Sequence, residues 1–150
     1  MREAGPNTSS FRPCIEKALA LTAYVKRKAN FVLIMAERET VSAGELASAI
    51  EESAHYLRYC GMNAEAEIVT EHRFPCRLAM DVYDCFEAVV EAFLEKGGDL
   101  FVRLGDRELM VMEDGGEIPD QDGLPLPVRV SREDGALVFR FDLGEEGGAE

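Results

Sequence analysis

Glu87-Ala88-Val89-Val90-Glu91 lies inside an apolar pattern of helical period, and Val111-Met112-Glu113-Asp114-Gly115-Gly116-Glu117 closes an alternating pattern further along. Together they set the order of elements in the second half of the chain. Leu78, Val82, Phe86, Val89 and Phe93 recur at steps of three and four, which predicts a helix from about Leu78 to Glu95 with one buried face. Gly97-Gly98 ends it, and Pro75 stands just before it. Leu100, Val102 and Leu104 then alternate with outward residues, Gly105-Asp106 turns the chain, and Leu109 to Glu113 returns as the partner strand. Upstream, Ala64 to Thr70 alternates apolar and acidic residues at period two, as an edge strand does. Downstream, Val128-Arg129-Val130 and Ala136 to Leu143 form a second hairpin across Glu133-Asp134-Gly135, with Asp114 to Pro127 as a loop between the hairpins.

The first half is purely helical in pattern. A helix is predicted from Phe11 to Ala36, with Pro13 tolerated in its first turn. Ile15, Ala18, Thr22, Val25, Ala29, Val32 and Ala36 make one apolar seam, and Leu21, Tyr24, Phe31 and Met35 make a second beside it. Two seams call for more than one helical neighbour. The next helix starts at a capping box, Ser42 with Glu45, stapled by Val41 and Leu46. Leu46, Ile50, Ser53, Leu57 and Cys60 line its inward face, and Gly61 ends it. Glu37-Arg38-Glu39-Thr40 is too short for anything but an antiparallel hairpin. A second copy pairing around a four-helix bundle would cover the remaining apolar surface, so a homodimer through the hairpin is expected.

The predicted class is α+β: an antiparallel helical hairpin at the N-terminal end, then a small α/β sandwich. The expected divisions are a loose leader over residues 1–10, the dimerisation hairpin over 11–61, the α/β domain over 62–143 and a frayed tail over 144–150. A chain of 150 residues that is 47% hydrophobic can bury a core without staples. Its net charge of -13 repels phosphate backbones and anionic lipids, which argues against nucleic acid as a partner. Cys14, Cys60, Cys76 and Cys85 lack the close pairing of a zinc or redox site and read as buried reduced thiols. No apolar run is long enough to span a bilayer, so membrane insertion by this chain is not expected. The expected location is cytoplasmic, either as a free protein or as the cytoplasmic part of a longer membrane receptor.

The two stretches quoted first resemble the two nucleotide-binding boxes of the ATP-binding domain of sensor histidine kinases, the proteins of two-component signalling. A hairpin followed by strand, helix, strand, strand and hairpin resembles their dimerisation helices plus a reduced ATP-binding domain, from about Phe11 to Leu143. The resemblance implies roles for five positions. The family places an asparagine that holds the nucleotide's magnesium four residues after the helix glutamate; here Glu91 stands there, four residues after Glu87. An aspartate that accepts from the adenine amino group corresponds to Glu113, followed by Asp114, which replaces a further residue of the box, and by Gly115. Glu117 replaces another residue of that box, no glycine-rich lid follows, and the helix from Phe11 to Ala36 contains no histidine to phosphorylate. Phosphoryl transfer needs metal, cationic or amide groups on the moving phosphate, and carboxylates repel it. No catalytic residue and no metal ligand are therefore assigned, and no cofactor is expected, with ATP and magnesium as the alternative to test.

The implied function is a non-catalytic signalling module, a pseudo-histidine kinase that dimerises and binds a protein partner. One alternative is a phosphotransfer protein using His55, in the manner of a sporulation phosphotransferase that joins a dimeric hairpin to a degenerate kinase domain, although its acceptor is on the first helix. Another is a domain that still binds nucleotide weakly through Glu113. Asp81, Asp84, Glu87, Glu91 and Glu95 form an acidic stripe that reads as the wet side of its helix, and Lys26-Arg27-Lys28 reads as a solvated face. Met110 and Met112 on one strand fit packing on both sheet faces.

Overall fold

Ser42 decides where the best-buried helix of the hairpin begins. Its Oγ accepts from the Glu45 amide at 3.1 Å while the Glu45 carboxylate accepts from the Ser42 amide at 2.8 Å. Two orphan donors of the first turn are satisfied at once. Arg38 reaches the same carboxylate, and that guanidinium, followed by the Ser42 amide, holds the Glu45 carboxyl down at about 2. Val41 and Leu46 are both fully buried, as the staple requires.

The computed structural model describes residues 18, 22, 24–59, 61–93, 98–114 and 116–144. The expected leader, most of the first turns of the first helix, Cys60, Glu95, Gly115 and the tail beyond Gly144 lie outside them. Helix α1 runs through residues 24–37. Strand β1 (Thr40–Ser42), helix α2 (Ala43–Tyr59) and strand β2 (Met62–Ile68) follow, then strand β3 (Arg73–Pro75) and helix α3 (Cys76–Phe93). The chain continues through β4 (Gly98–Leu104), β5 (Glu108–Glu113), β6 (Val128–Glu133) and β7 (Ala136–Asp142). Gly61 carries φ +93°, the left-handed value that lets α2 stop and the chain turn into β2. Asp134 and Gly135 both take positive φ, 54° and 85°, the pair a two-residue hairpin between β6 and β7 needs.

Five strands form one sheet in the order β2-β4-β5-β7-β6, with β2 and β4 parallel and every other pair antiparallel. The parallel pair is joined through α3, the crossover that such a pair demands. Register puts Leu100, Val102 and Leu104 opposite Glu113, Val111 and Leu109, and those three opposite Leu137, Phe139 and Phe141. This inner face meets Val82, Phe86, Val89 and Phe93 of α3 in one continuous core that also takes in α2 and Phe31 of α1. Phe93 meets Phe139 edge to face with centroids 6.1 Å apart. Each fully buried side chain of this size contributes about 1.5–3 kcal/mol.

The helices and strands fall close to where periodicity puts them, with two differences. The edge strand β2 starts two residues earlier than the alternation suggests, because Arg58 at the end of α2 donates to the Ala64 carbonyl at 2.8 Å and ties the helix directly to it. The short pair β1 and β3 was not legible: three residues per strand are too few to show a period. It nevertheless fixes the hairpin to α3, with the Cys76 amide donating to the Glu39 carbonyl at 2.9 Å and the Ala43 amide to the His72 carbonyl at 3.1 Å.

The two seams of α1 part ways. Tyr24, Phe31 and Met35 turn toward the core, whereas Val25 is 59% exposed, Val32 54% and Leu33 66%. One seam is covered within the chain and the other is not. Arg27 pairs with Glu52 and Arg38 with Glu45, so partners run in opposite directions along the two helices, as an antiparallel hairpin requires.

Candidate functional site

The degenerate nucleotide positions come from two elements packed against each other, α3 and β5. On α3, Asp84, Glu87 and Glu91 follow at steps of three and four, so they share one flank. Glu91 is exposed and Glu87 half-buried. Burial first, then the neighbouring Glu91 and Asp84 carboxylates, push the Glu87 carboxyl up to about 8. At neutral pH it holds its proton. Asp81, also half-buried, is raised by burial and by Asp84.

Three members of the stripe, Asp81, Asp84 and Glu87, are therefore half-buried rather than on the wet side of the helix, which corrects the expectation from sequence for them, while Glu91 is exposed as expected. The middle of the stripe faces α1. Lys28 donates to Asp84 at 2.9 Å and to the Tyr24 hydroxyl at 3.2 Å, and that hydroxyl donates to Asp84 at 3.0 Å. The carboxylate holds the Lys28 ammonium above its ordinary value. Arg27 and Lys28, which read as a solvated run, are thus both engaged in holding the helices together. Next to them the Tyr83 and Ser53 hydroxyls share a buried hydrogen bond of 2.7 Å, Tyr24 stacks on Tyr83 with centroids 5.9 Å apart, and Phe31 tilts against the same ring. Burial drives the Tyr83 phenol well above its ordinary range. Ser53 on an otherwise apolar seam was the one signal for this contact, since a buried hydroxyl demands a partner. The partner itself could not be named without the fold.

On β5, Glu113 is only 1% exposed and points to the inner face between Leu100 and Leu137. Asp114 is exposed just beyond it, close enough to Gly98 that a Cβ there would lie 3.3 Å from its carboxylate. Gly98 at φ +99° makes that approach with no side chain in the way. The chain between Gly116 and Pro127 does not hang free. Arg132 donates to the Gly116 carbonyl at 2.6 Å, and Leu124 and Leu126 pack against the core. The Leu126 backbone is hydrogen-bonded to the Cys85 thiol, whose burial still pushes it up to about 12. Cys85 and Cys76 are buried free thiols.

His55 lies apart from all of this on the exposed side of α2, edge-on to Tyr59 with ring centroids 6.3 Å apart. His72 stands 3.5 Å from the Asp106 carboxylate at the β4–β5 turn. Met110 and Met112 share the outer face of the sheet, Met110 buried and Met112 half-buried. Among the described residues no three acidic, histidine or cysteine side chains converge to hold a metal ion, and no helix is long and apolar enough to cross a membrane.

No protein-family model matches the chain, and no curated protein does. Solved structures do. The histidine kinase domain of the blue-light activated histidine kinase EL346 from Erythrobacter litoralis is 14% identical, with 94% of this chain and 84% of that one covered at a TM-score of 0.54. A bacterial phosphotransferase is 10% identical, with 94% of this chain and 98% of that one covered at a TM-score of 0.50. With its helices followed by a mixed five-stranded sheet, the chain has a histidine kinase-like fold of the α+β class.

Proposed function

We propose that this protein is a non-catalytic signal-transduction module, homodimeric through its helical hairpin, in which a remnant nucleotide-binding domain serves as a protein-interaction surface. The observation that carries the reading is the flank of α3. Where a kinase domain keeps an amide for the nucleotide's metal, this chain has Glu91, beside a half-buried Glu87 whose carboxyl is raised by burial and then by the Glu91 and Asp84 carboxylates. A triphosphate adds negative charge to a flank that already repels its own. Among the described residues, the nearby cations Arg27 and Lys28 are bound to Glu52 and Asp84. Glu113, the counterpart of the adenine-binding aspartate, is shut off from solvent, and the loop that replaces the lid lays Leu124 and Leu126 on the core. Weak nucleotide binding through Glu113 would need that region to open. The module belongs in the cytoplasm, alone or as part of a receptor, where Cys76 and Cys85 stay reduced.

Calorimetric titration with ATP and magnesium tests this directly: no heat of binding is expected, and a dissociation constant tighter than about 100 μM, roughly -5.5 kcal/mol, rejects the reading.

A phosphotransfer role for His55 is the second reading, favoured by its exposure on α2 and by the fold shared with a phosphotransferase. A phosphorylated receiver domain would then label the wild-type chain and leave His55→Ala unlabelled. Equal labelling of both, or of neither, removes it.

A further inference from the structure

The outer face of the sheet carries a cavity that borders two of the nucleotide-box positions, Glu113 and Asp114, and is lined mainly by residues outside those boxes. It is lined by Asn63 and Glu65 of β2, Asp99 and Phe101 of β4, Met112 at the end of β5, Asp114 beyond it and Ala136 of β7, with Leu100 and Glu113 at its base. Register explains its shape. Glu65, Phe101, Met112 and Val138 stand side by side across four strands, an apolar trough that opens on a carboxylate at the free edge of the sheet. The row next to it, toward the strand ends, holds Asn63 and Asp99, hydrogen-bonded to each other at 3.2 Å. The row on the other side reads Glu67, Arg103, Met110, Arg140 and Arg129.

These rows treat charge differently. The third carries the arginines: Arg103 pairs with Glu67 in the same row at 3.1 Å, and Arg140 reaches out of it to Glu108 at 3.4 Å and Glu133 at 3.2 Å. The cavity carries Glu65 and Asp99 on its rim, with no lysine, arginine or histidine among its described lining residues. Arg103 also shows what such a place accepts, because its guanidinium lies 5.9 Å from the centre of the Phe101 ring while it pairs with Glu67. On the cavity side Phe101 again has a carboxylate beside it, Glu65, and a thioether, Met112, opposite. A cation with an apolar stem satisfies both parts: the head meets Glu65 and Asp99, and the stem covers Phe101 and Met112.

We infer that this cavity docks an arginine side chain from a basic segment of a partner protein. A protein segment is favoured over a small free cation because the trough is open and crosses the strands toward the edge β2. The inference rests on the reading of the domain as an interaction surface. The two fail separately, since calorimetry with ATP reads the first and peptide-induced shifts at Glu65, Phe101 and Met112, which lie outside the nucleotide boxes, read the second.

The test uses the full chain and a tetra-arginine peptide, followed by amide and methionine-methyl chemical shifts at physiological ionic strength. Shifts should concentrate at Glu65, Asp99, Phe101 and Met112. Glu65→Gln with Asp99→Asn should weaken binding at least tenfold, and Met112→Lys, which plants a cation in the trough, should abolish it. Glu37→Gln with Glu51→Gln removes the same charge from exposed helix positions and should leave affinity within twofold. The inference is overturned by shifts spread evenly over the acidic surface, by equal loss in the helix variant, by no binding at millimolar peptide, or by spermine or a tetra-citrulline peptide reproducing the same shifts.

Discussion

Helix α3 has two flanks, and they are held by different physics. One lays Phe86, Val89 and Phe93 on the sheet, where Val111, Phe139 and Phe141 are all but sealed from water. The other meets α1 through Tyr24, Lys28 and Asp84, around the buried Tyr83 and Ser53 hydroxyls, with Glu87 half-buried one turn further along. Dispersion and apolar burial on the first flank neither titrate nor are screened by counterions. The second holds half-buried charges whose desolvation offsets much of their attraction. The pairing of α3 with the sheet is therefore the permanent part of the molecule, and the seating of α1 is its adjustable part.

The largest effect should come from breaking the apolar flank. Phe139 sits on the middle of β7, opposite Val111 and Val130, with Phe93 edge-on above it. Phe139→Ala removes a ring from a site that cannot collapse around the loss, and urea unfolding should report a destabilisation of about 3–5 kcal/mol. A loss below about 1 kcal/mol would mean that this flank is not the close-packed one.

A smaller and pH-dependent effect should come from the charged flank. An acid raised in the folded state costs nothing below its unfolded value of 4.5, where both states are protonated. As pH rises above that value the unfolded chain ionises while folded Glu87 does not, so stability falls until about 8, and then levels off. Arg27 and Glu52 from the hairpin, and Asp84 and Glu91 from α3, surround the same ground. Glu87→Gln removes the titration. It should stabilise the protein at pH 8 by something on the order of 2 kcal/mol and leave stability at pH 4.5 nearly unchanged. Denaturation midpoints at the two pH values decide it; an equal change at both would show a packing effect and no titration.

The two flanks were also unequally legible in the sequence. The α3–sheet contact follows from Leu78 to Phe93 at helical spacing and from strands alternating at period two, because each burial pattern is local. The capping box at Ser42 and the turn at Asp134-Gly135 are local too, and they appear where their residues imply. What periodicity could not supply is any contact between side chains distant in the chain. Asp84 and Glu87 looked like a wet stripe because their own helix puts them opposite its apolar face; both are half-buried in the fold, Asp84 under Lys28 of α1. Glu113 could be placed on a strand, and register alone turns it inward rather than out. The carboxylate-rimmed trough on the outer face joins residues from four strands whose order, with β2 beside β4, no local pattern reveals.

The smallest effect on folding should carry the most information about assembly. Val25 belongs to the seam of α1 that the chain leaves uncovered, alongside Val32, with Leu33 exposed next to it. Exposed as it is, Val25→Asp should change the stability of a single chain by less than about 0.5 kcal/mol, since valine and aspartate differ little in helix propensity and no buried contact is lost. If a second copy covers this seam, the same substitution places two carboxylates where two apolar seams must meet across a twofold axis. Sedimentation should then show a wild-type dimer and a folded Val25→Asp monomer. A variant that stays dimeric moves the interface away from the hairpin. One that unfolds shows instead that α1 needs its outer seam to stay helical, which would join the two flanks of α3 into a single cooperative unit.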